Sequence, residues 1–189
     1  MAEGFTHLGD DLVHQGHFIC LVEGSFRAPD GSTFRRDLVR SRGAVGVVPI
    51  RFAGGEAEVV LVRQYRPAFD AEIIEIPAGV RDVDGEDPAL TAQRELAEEV
   101  GLRAATLRPL GQMYPSAGLT DAVTLLYLGT DLEPVPLDAH GPEEEAMEIF
   151  TMPLDAAVDA VESGEIVDAK TVIGLLRAER LLRGEHGRT

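Results

Sequence analysis

Residues 79–102 read GVRDVDGEDPALTAQRELAEEVGL, and the rest of the chain is organised around them. Asp87-Pro88 is a helix-start signal, with proline suited to the first turn, and Gly101 stands where a helix commonly ends. On the helix between them, positions i, i+3 and i+4 share one face, so Glu95, Glu98 and Glu99 converge. Like charges at those spacings weaken a helix, and Arg94 is the only cation close by. A bare ExxEE is ordinarily a solvated acidic face. Here glycine, glutamate, arginine and glycine frame it in a fixed order. A hard divalent cation such as Mg²⁺ would neutralise the cluster, because it takes oxygen ligands and is often held by carboxylates together with substrate phosphates.

The 189 residues suit one domain, large enough to bury a substantial core, with the ordinary hydrophobic (44%) and charged (26%) content of a soluble globular protein. The net charge of −16 argues against a nucleic-acid backbone as partner, since such binding rests on Lys and Arg meeting phosphates. No apolar run approaches the ~20 residues a membrane helix needs, and the N-terminus lacks the pattern of a signal peptide. The single cysteine, Cys20, lies in the apolar run FICLV and reads as a buried thiol of a cytoplasmic protein.

Along the chain, residues 1–16 show little periodicity. FICLVEGSF and STFRRDLVRS flank the turn Ala28-Pro29-Asp30-Gly31 and read as a β-hairpin bearing Arg27, Arg35, Arg36, Arg40 and Arg42. AVGVVPIRF is nearly all apolar and reads as a central strand, followed by EAEVVLVRQYRP and a short strand EIIEIPA. Beyond the helix, residues 107–113 and 123–130 read as strands, joined by a turn-rich loop at 114–121. Residues 130–150 read as a polar loop with acids at Glu143, Glu144, Glu145 and Glu148. Helices follow from Leu154 to Ser163 and from Ala169 to Leu182, the latter turning Val172, Ile173, Leu175, Leu176, Leu181 and Leu182 inward. Strands followed and interrupted by helices predict an α/β class with a mixed sheet between helical layers.

The order Gly79, spacer, Glu86, seven residues, Arg94-Glu95, aliphatic, any residue, Glu98-Glu99, any residue, Gly101, aliphatic resembles the Nudix hydrolase signature. Six residues separate Gly79 from Glu86 where the pattern has five, which is read as a longer turn around Asp82–Gly85. The resemblance implies a Nudix α/β/α sandwich over residues 43–189, preceded by an N-terminal β-hairpin subdomain at 1–42. Over residues 35–182, the succession RRDLVRSRGAVGVVPI, VVLVRQYRP, EIPAG and an acidic loop looks like the ADP-ribose pyrophosphatase branch.

In that branch the hairpin exchanges between the two protomers of a homodimer and lends residues to the site. The implied reaction is metal-dependent hydrolysis of ADP-ribose to AMP and ribose 5-phosphate. By resemblance, Glu95, Glu98, Glu99 and the Ala78 carbonyl hold Mg²⁺, with Mn²⁺ a possible substitute. Glu143 aligns best as the general base, Glu144 stays open for that role, and Glu145 would be an extra metal ligand. Arg94 pairs with a signature glutamate and orients the site, while Glu86 holds the loop rather than the metal. Arg66 and Arg27 would meet the phosphates and the adenine, and Gly79 and Gly118 would line the substrate site. Three positions depart from the branch: Ala117 replaces a proline, Ala122 replaces a glutamate, and the aromatic often found before Glu75 is Ile74. Hydrolysis of another nucleoside diphosphate sugar therefore stays open. So does a catalytically silent nucleotide sensor, although all the expected ligands are present and no DNA-binding segment is evident. An acidic Ca²⁺-binding module fits less well, for the chain has no DxDxDG loop with its downstream glutamate.

Overall fold

The computed structural model describes residues 4–138 and 146–186. Its strands and helices fall into two compact units, Met1–Gly43 with Tyr114–Val123, and Ala44–Met113 with Thr124–Thr189.

The first unit is an antiparallel meander of β1 (Thr6–Gln15), β2 (Ile19–Arg27) and β3 (Thr33–Ser41). The expected hairpin is β2–β3, closed by Gly31 N–H donating to the Ala28 carbonyl at 2.9 Å. Residues 6–15 add a third strand that their sequence did not announce. Every residue of β1 is exposed, so no buried face imposes an alternation. Phe26 stacks on Phe34 across the β2–β3 pair, with ring centroids 5.4 Å apart. Cys20 is only half-buried, and its Sγ donates to Gln15 Oε1 at 2.9 Å, which corrects the reading of a buried thiol. Segment 114–123 lies along β3: Val39 N–H donates to the Leu119 carbonyl, and Asp121 accepts from Ser41 N–H and Arg40.

The second unit holds a seven-stranded mixed sheet. Its strands are β4 (Ala44–Ala53), β5 (Glu56–Arg66), β6 (Ala71–Glu75), β7 (Ala78–Val80), β8 (Leu102–Met113), β9 (Thr124–Pro134) and β10 (Glu148–Pro153). The main path runs β10-β5-β4-β9-β8, with β6 on β5 and β7 on β4. The apolar strand β4 is central, as its composition implied. Its first half runs parallel to β9 and antiparallel to β7, and its second half pairs with β5.

Side chains alternate across this sheet with period two. Val45, Val47, Val60 and Val62 point to one face and meet Ala92, Leu96 and Val100 of helix α1 (Pro88–Val100). Val48, Ile50, Val59 and Leu61 point to the other, against α2 (Leu154–Ser163) and α3 (Ala169–His186) through Ala157, Leu175, Ala178 and Leu182. Burying each such large side chain contributes about 1.5–3 kcal/mol. This is the three-layered mixed α/β arrangement predicted. Two details differ. β10 is an edge strand inside what read as a loop, paired to β5 through Phe150↔Leu61. Leu176 on α3 is 40% exposed rather than inward.

Candidate active site

Helix α1 begins and ends where its sequence says. The Asp87 side chain accepts the Ala89 N–H at 2.8 Å, Pro88 opens the first turn, and Gly101 takes a left-handed conformation at φ 61°. The loop before it turns at residues 83–86, where the Glu86 N–H donates to the Val83 carbonyl at 3.3 Å.

Along α1, Thr91, Glu95 and Glu99 form one row four residues apart, and all are buried. Two buried carboxylates on one ridge are costly unless paired or coordinated. Glu95 and Glu99 are only 8% and 5% exposed, whereas Glu98 is more open. Glu99 Oε2 accepts the Ala78 N–H at 2.8 Å. An extended residue directs its N–H and C=O to the same strand edge, so the Ala78 carbonyl faces the side on which Glu99 lies. Glu95 is seated on Gly79: a Cβ at residue 79 would overlap its carboxylate, so any other residue there must push Glu95 aside.

Arg94 spreads over this cluster. It pairs with Asp82 and Glu95 at 2.9 Å, with Glu98 at 3.1 Å and with Glu86 at 3.5 Å. Burial pulls the Arg94 guanidinium down, and the surrounding carboxylates outweigh that, Glu95 first, so its pKa is raised. Glu86 also accepts the Thr91 hydroxyl of α1 at 2.8 Å, which ties the loop to the helix. Arg94 is thus shared among four acids, and Arg66 acts electrostatically on the fifth, Glu99.

These oxygens, with the Ala78 carbonyl, suit a hard cation in their chemistry. Among the described residues, no three His, Cys, Asp or Glu side chains are closed around one point as a finished cage. The fit to a divalent metal lies in the chemistry of these buried oxygens rather than in a preformed cage.

Arg66, at the end of β5, is gripped by Glu75 with Nε–Oε1 at 2.6 Å and Nη2–Oε2 at 2.5 Å. Glu75 is 3% exposed and also receives Lys170. Burial pushes the Glu75 carboxyl up, but Arg66 and Lys170 outweigh it and hold it below the ordinary carboxylate range. In turn the hydrogen bonds to Glu75 outweigh burial and raise the pKa of Arg66. Arg66 and Lys170 line an open groove of about 690 Å³ with Phe69, Ile73 and Val167.

In the first unit, Arg27 is exposed at the end of β2, and Gly118 lies in the 114–123 segment. Glu143, Glu144 and Glu145 lie outside the described residues. The Glu75–Lys170–Asp168 cluster was missed from sequence. Its signals were a lone acid in the apolar run EIIEIP and an Asp three residues before a Thr at a helix start.

No helix among the described residues is long and apolar enough to cross a membrane. Known proteins resemble the chain along nearly its whole length. The ADP-ribose pyrophosphatase of Mycobacterium tuberculosis is 35% identical over 185 residues, covering 97% of this chain and 88% of that protein. The ADP-ribose pyrophosphatase of Bacillus subtilis is 32% identical over 168 residues, covering 89% of each. A solved ADP compounds hydrolase shares the fold at a TM-score of 0.80 and 24% identity, over 97% of this chain and 96% of that one. A model of the NUDIX domain matches residues 40–172, a span that includes helix α1, and the chain belongs to the Nudix family.

Proposed function

We propose that this Nudix protein hydrolyses the pyrophosphate of ADP-ribose, giving AMP and ribose 5-phosphate. One observation carries the reading: the buried Glu95–Glu99 row, with Glu95 seated on Gly79, Glu99 bonded to Ala78, and Arg94 paired to Glu95. Similarity over nearly the full length to two ADP-ribose pyrophosphatases supports the choice of substrate.

In the reaction a water oxygen bonds to one phosphorus, the bridging P–O bond breaks, and two monophosphates and a proton leave. Glu95, Glu98, Glu99 and the Ala78 carbonyl would hold Mg²⁺, with Mn²⁺ as a substitute. Bound there, the ion supplies shielding of the pyrophosphate charge and orientation of the reacting groups. Arg94 keeps Glu95 and Glu98 in place through its contacts at 2.9 and 3.1 Å. Arg66, held rigid by Glu75, presents the rest of its guanidinium to a phosphate oxygen. Glu143 is the proposed general base, with Glu144 as its competitor and Glu145 as an added ligand. The working form is a cytoplasmic homodimer in which Arg27 serves the site.

A second reading is favoured by one feature of the 114–123 segment. Ala117 and Ala122 stand where the branch carries proline and glutamate, which opens the site to other nucleoside diphosphate sugars. AMP release from ADP-ribose with Mg²⁺, compared with hydrolysis of GDP- and UDP-sugars, decides between them. A preference for ADP-ribose is expected. Turnover of none of these would leave a nucleotide sensor.

A further inference from the structure

Between β6 and β7 the strand is interrupted at Ile76 and Pro77, just before Ala78. The backbone of this short run is tied to three different elements. Ile76 N–H donates to Thr171 Oγ1 on α3 at 2.9 Å. The Pro77 carbonyl accepts the Val47 N–H of β4 at 2.9 Å, and Ala78 N–H reaches Glu99 of α1 at 2.8 Å.

Thr171 is wholly buried. Its hydroxyl both accepts from Ile76 and donates to Asp168 Oδ2 at 2.6 Å, so its orientation is fixed from two sides. Asp168 caps α3 by accepting the Thr171 N–H at 3.0 Å, and it meets Lys170 at 3.0 Å. Lys170 shares Glu75 with Arg66. The start of α3 thus grips the backbone that leads into Ala78 and, through Lys170, the carboxylate that holds Arg66.

We infer that Thr171 is a positioning residue for the metal site: its hydroxyl fixes Ile76 N–H, and thereby sets the depth at which the Ala78 carbonyl faces Glu99. A buried N–H left without an acceptor must move or pull in water, and either shift displaces the two residues that follow. The inference rests on the reading of Ala78, Glu95 and Glu99 as the metal holders.

The test is Mn²⁺ binding to the intact protein without substrate, followed by electron paramagnetic resonance, with circular dichroism to confirm folding. Thr171→Val keeps the shape and removes the hydroxyl, and it should bind Mn²⁺ roughly ten- to a hundredfold more weakly, the size typical of lost supporting contacts around a metal. Thr171→Ser should restore wild-type affinity. Unchanged affinity in Thr171→Val overturns the inference. Equal weakening in Thr171→Ser also overturns it, because packing of the methyl group would then be responsible. Should Thr171→Val not fold, Thr171→Ser and Thr171→Ala differ only in the hydroxyl and carry the same comparison. Weak binding by the alanine variant alone supports the inference, and equal binding by the two overturns it. Glu99→Gln is the control for the site itself. If it binds Mn²⁺ like the wild type, the metal reading falls and the inference with it. If it loses binding while Thr171→Val keeps it, only the role of Thr171 falls.

Discussion

Gly79 and Glu95 are a matched pair, one residue lacking a side chain so that the other can be seated on it. A Cβ at residue 79 would meet the Glu95 carboxylate, the far end of a flexible side chain, so it displaces that carboxylate rather than backbone and costs about 1 kcal/mol, the low end for overpacking. Gly79→Ala should therefore lower stability to chemical denaturation by about that amount. It should also reduce turnover, because Glu95 must swing away. A variant with intact turnover would show that the carboxylate's seat is irrelevant to chemistry. Glu99→Gln separates charge from shape. The amide oxygen can still accept the Ala78 N–H, so the fold should persist, while loss of the anion should lower turnover on the order of a hundredfold or more. Near-normal rates of AMP release from ADP-ribose would remove Glu99 from the metal site.

At the scale of elements, β5, β6 and α3 are joined by the Arg66–Glu75–Lys170 cluster, and this gives stability a definite pH dependence. The folded state holds the Glu75 carboxyl below its ordinary pKa, so the unfolded chain takes up this proton first as pH falls. The contribution is complete above the unfolded value of about 4.3 and is lost as pH drops through the lower folded value. Thermal melts of wild type and Glu75→Gln should show this: the variant, less stable at neutral pH, should lose less stability between neutral pH and the acid range. Parallel curves would place the acid sensitivity elsewhere. The same elements show why some of the architecture was legible in the sequence. Helix α1 was, because its cap, its stop and its apolar stripe are all local. So were the three carboxylates, which fall within little more than one turn. β4 was legible because a strand buried on both faces is apolar throughout. β10 was not, for it is a short edge strand with acids ahead of it. Glu75 and Lys170 are 95 residues apart, and no local pattern announces a contact that only the packed fold creates.

On the whole molecule, a net charge of −16 disfavours self-association, yet the first unit exposes a set of large apolar side chains. Phe5, Leu8, Leu12, Val13, Phe18 and Ile19 are all exposed on β1, β2 and the residues beside them. β1 is also the outer strand of its sheet, and among the described residues no strand pairs with its free edge. A long unpaired edge beside exposed apolar side chains invites another chain, and soluble monomers seldom leave such a patch uncovered. Leu12 and Val13 have 62% and 59% of their surfaces exposed. The expected outcome is a homodimer held through this unit. Sedimentation velocity at micromolar concentration should then give twice the 20.3 kDa chain mass. Replacing both Leu12 and Phe18 by glutamate should return the single-chain value without unfolding the second unit, whose core contains neither residue. If Arg27 serves a site completed by the second copy, that monomeric variant should also lose ADP-ribose turnover while retaining Mn²⁺ binding on α1. A wild-type chain that sediments only at its single-chain mass would rule out both the dimer and a shared role for Arg27.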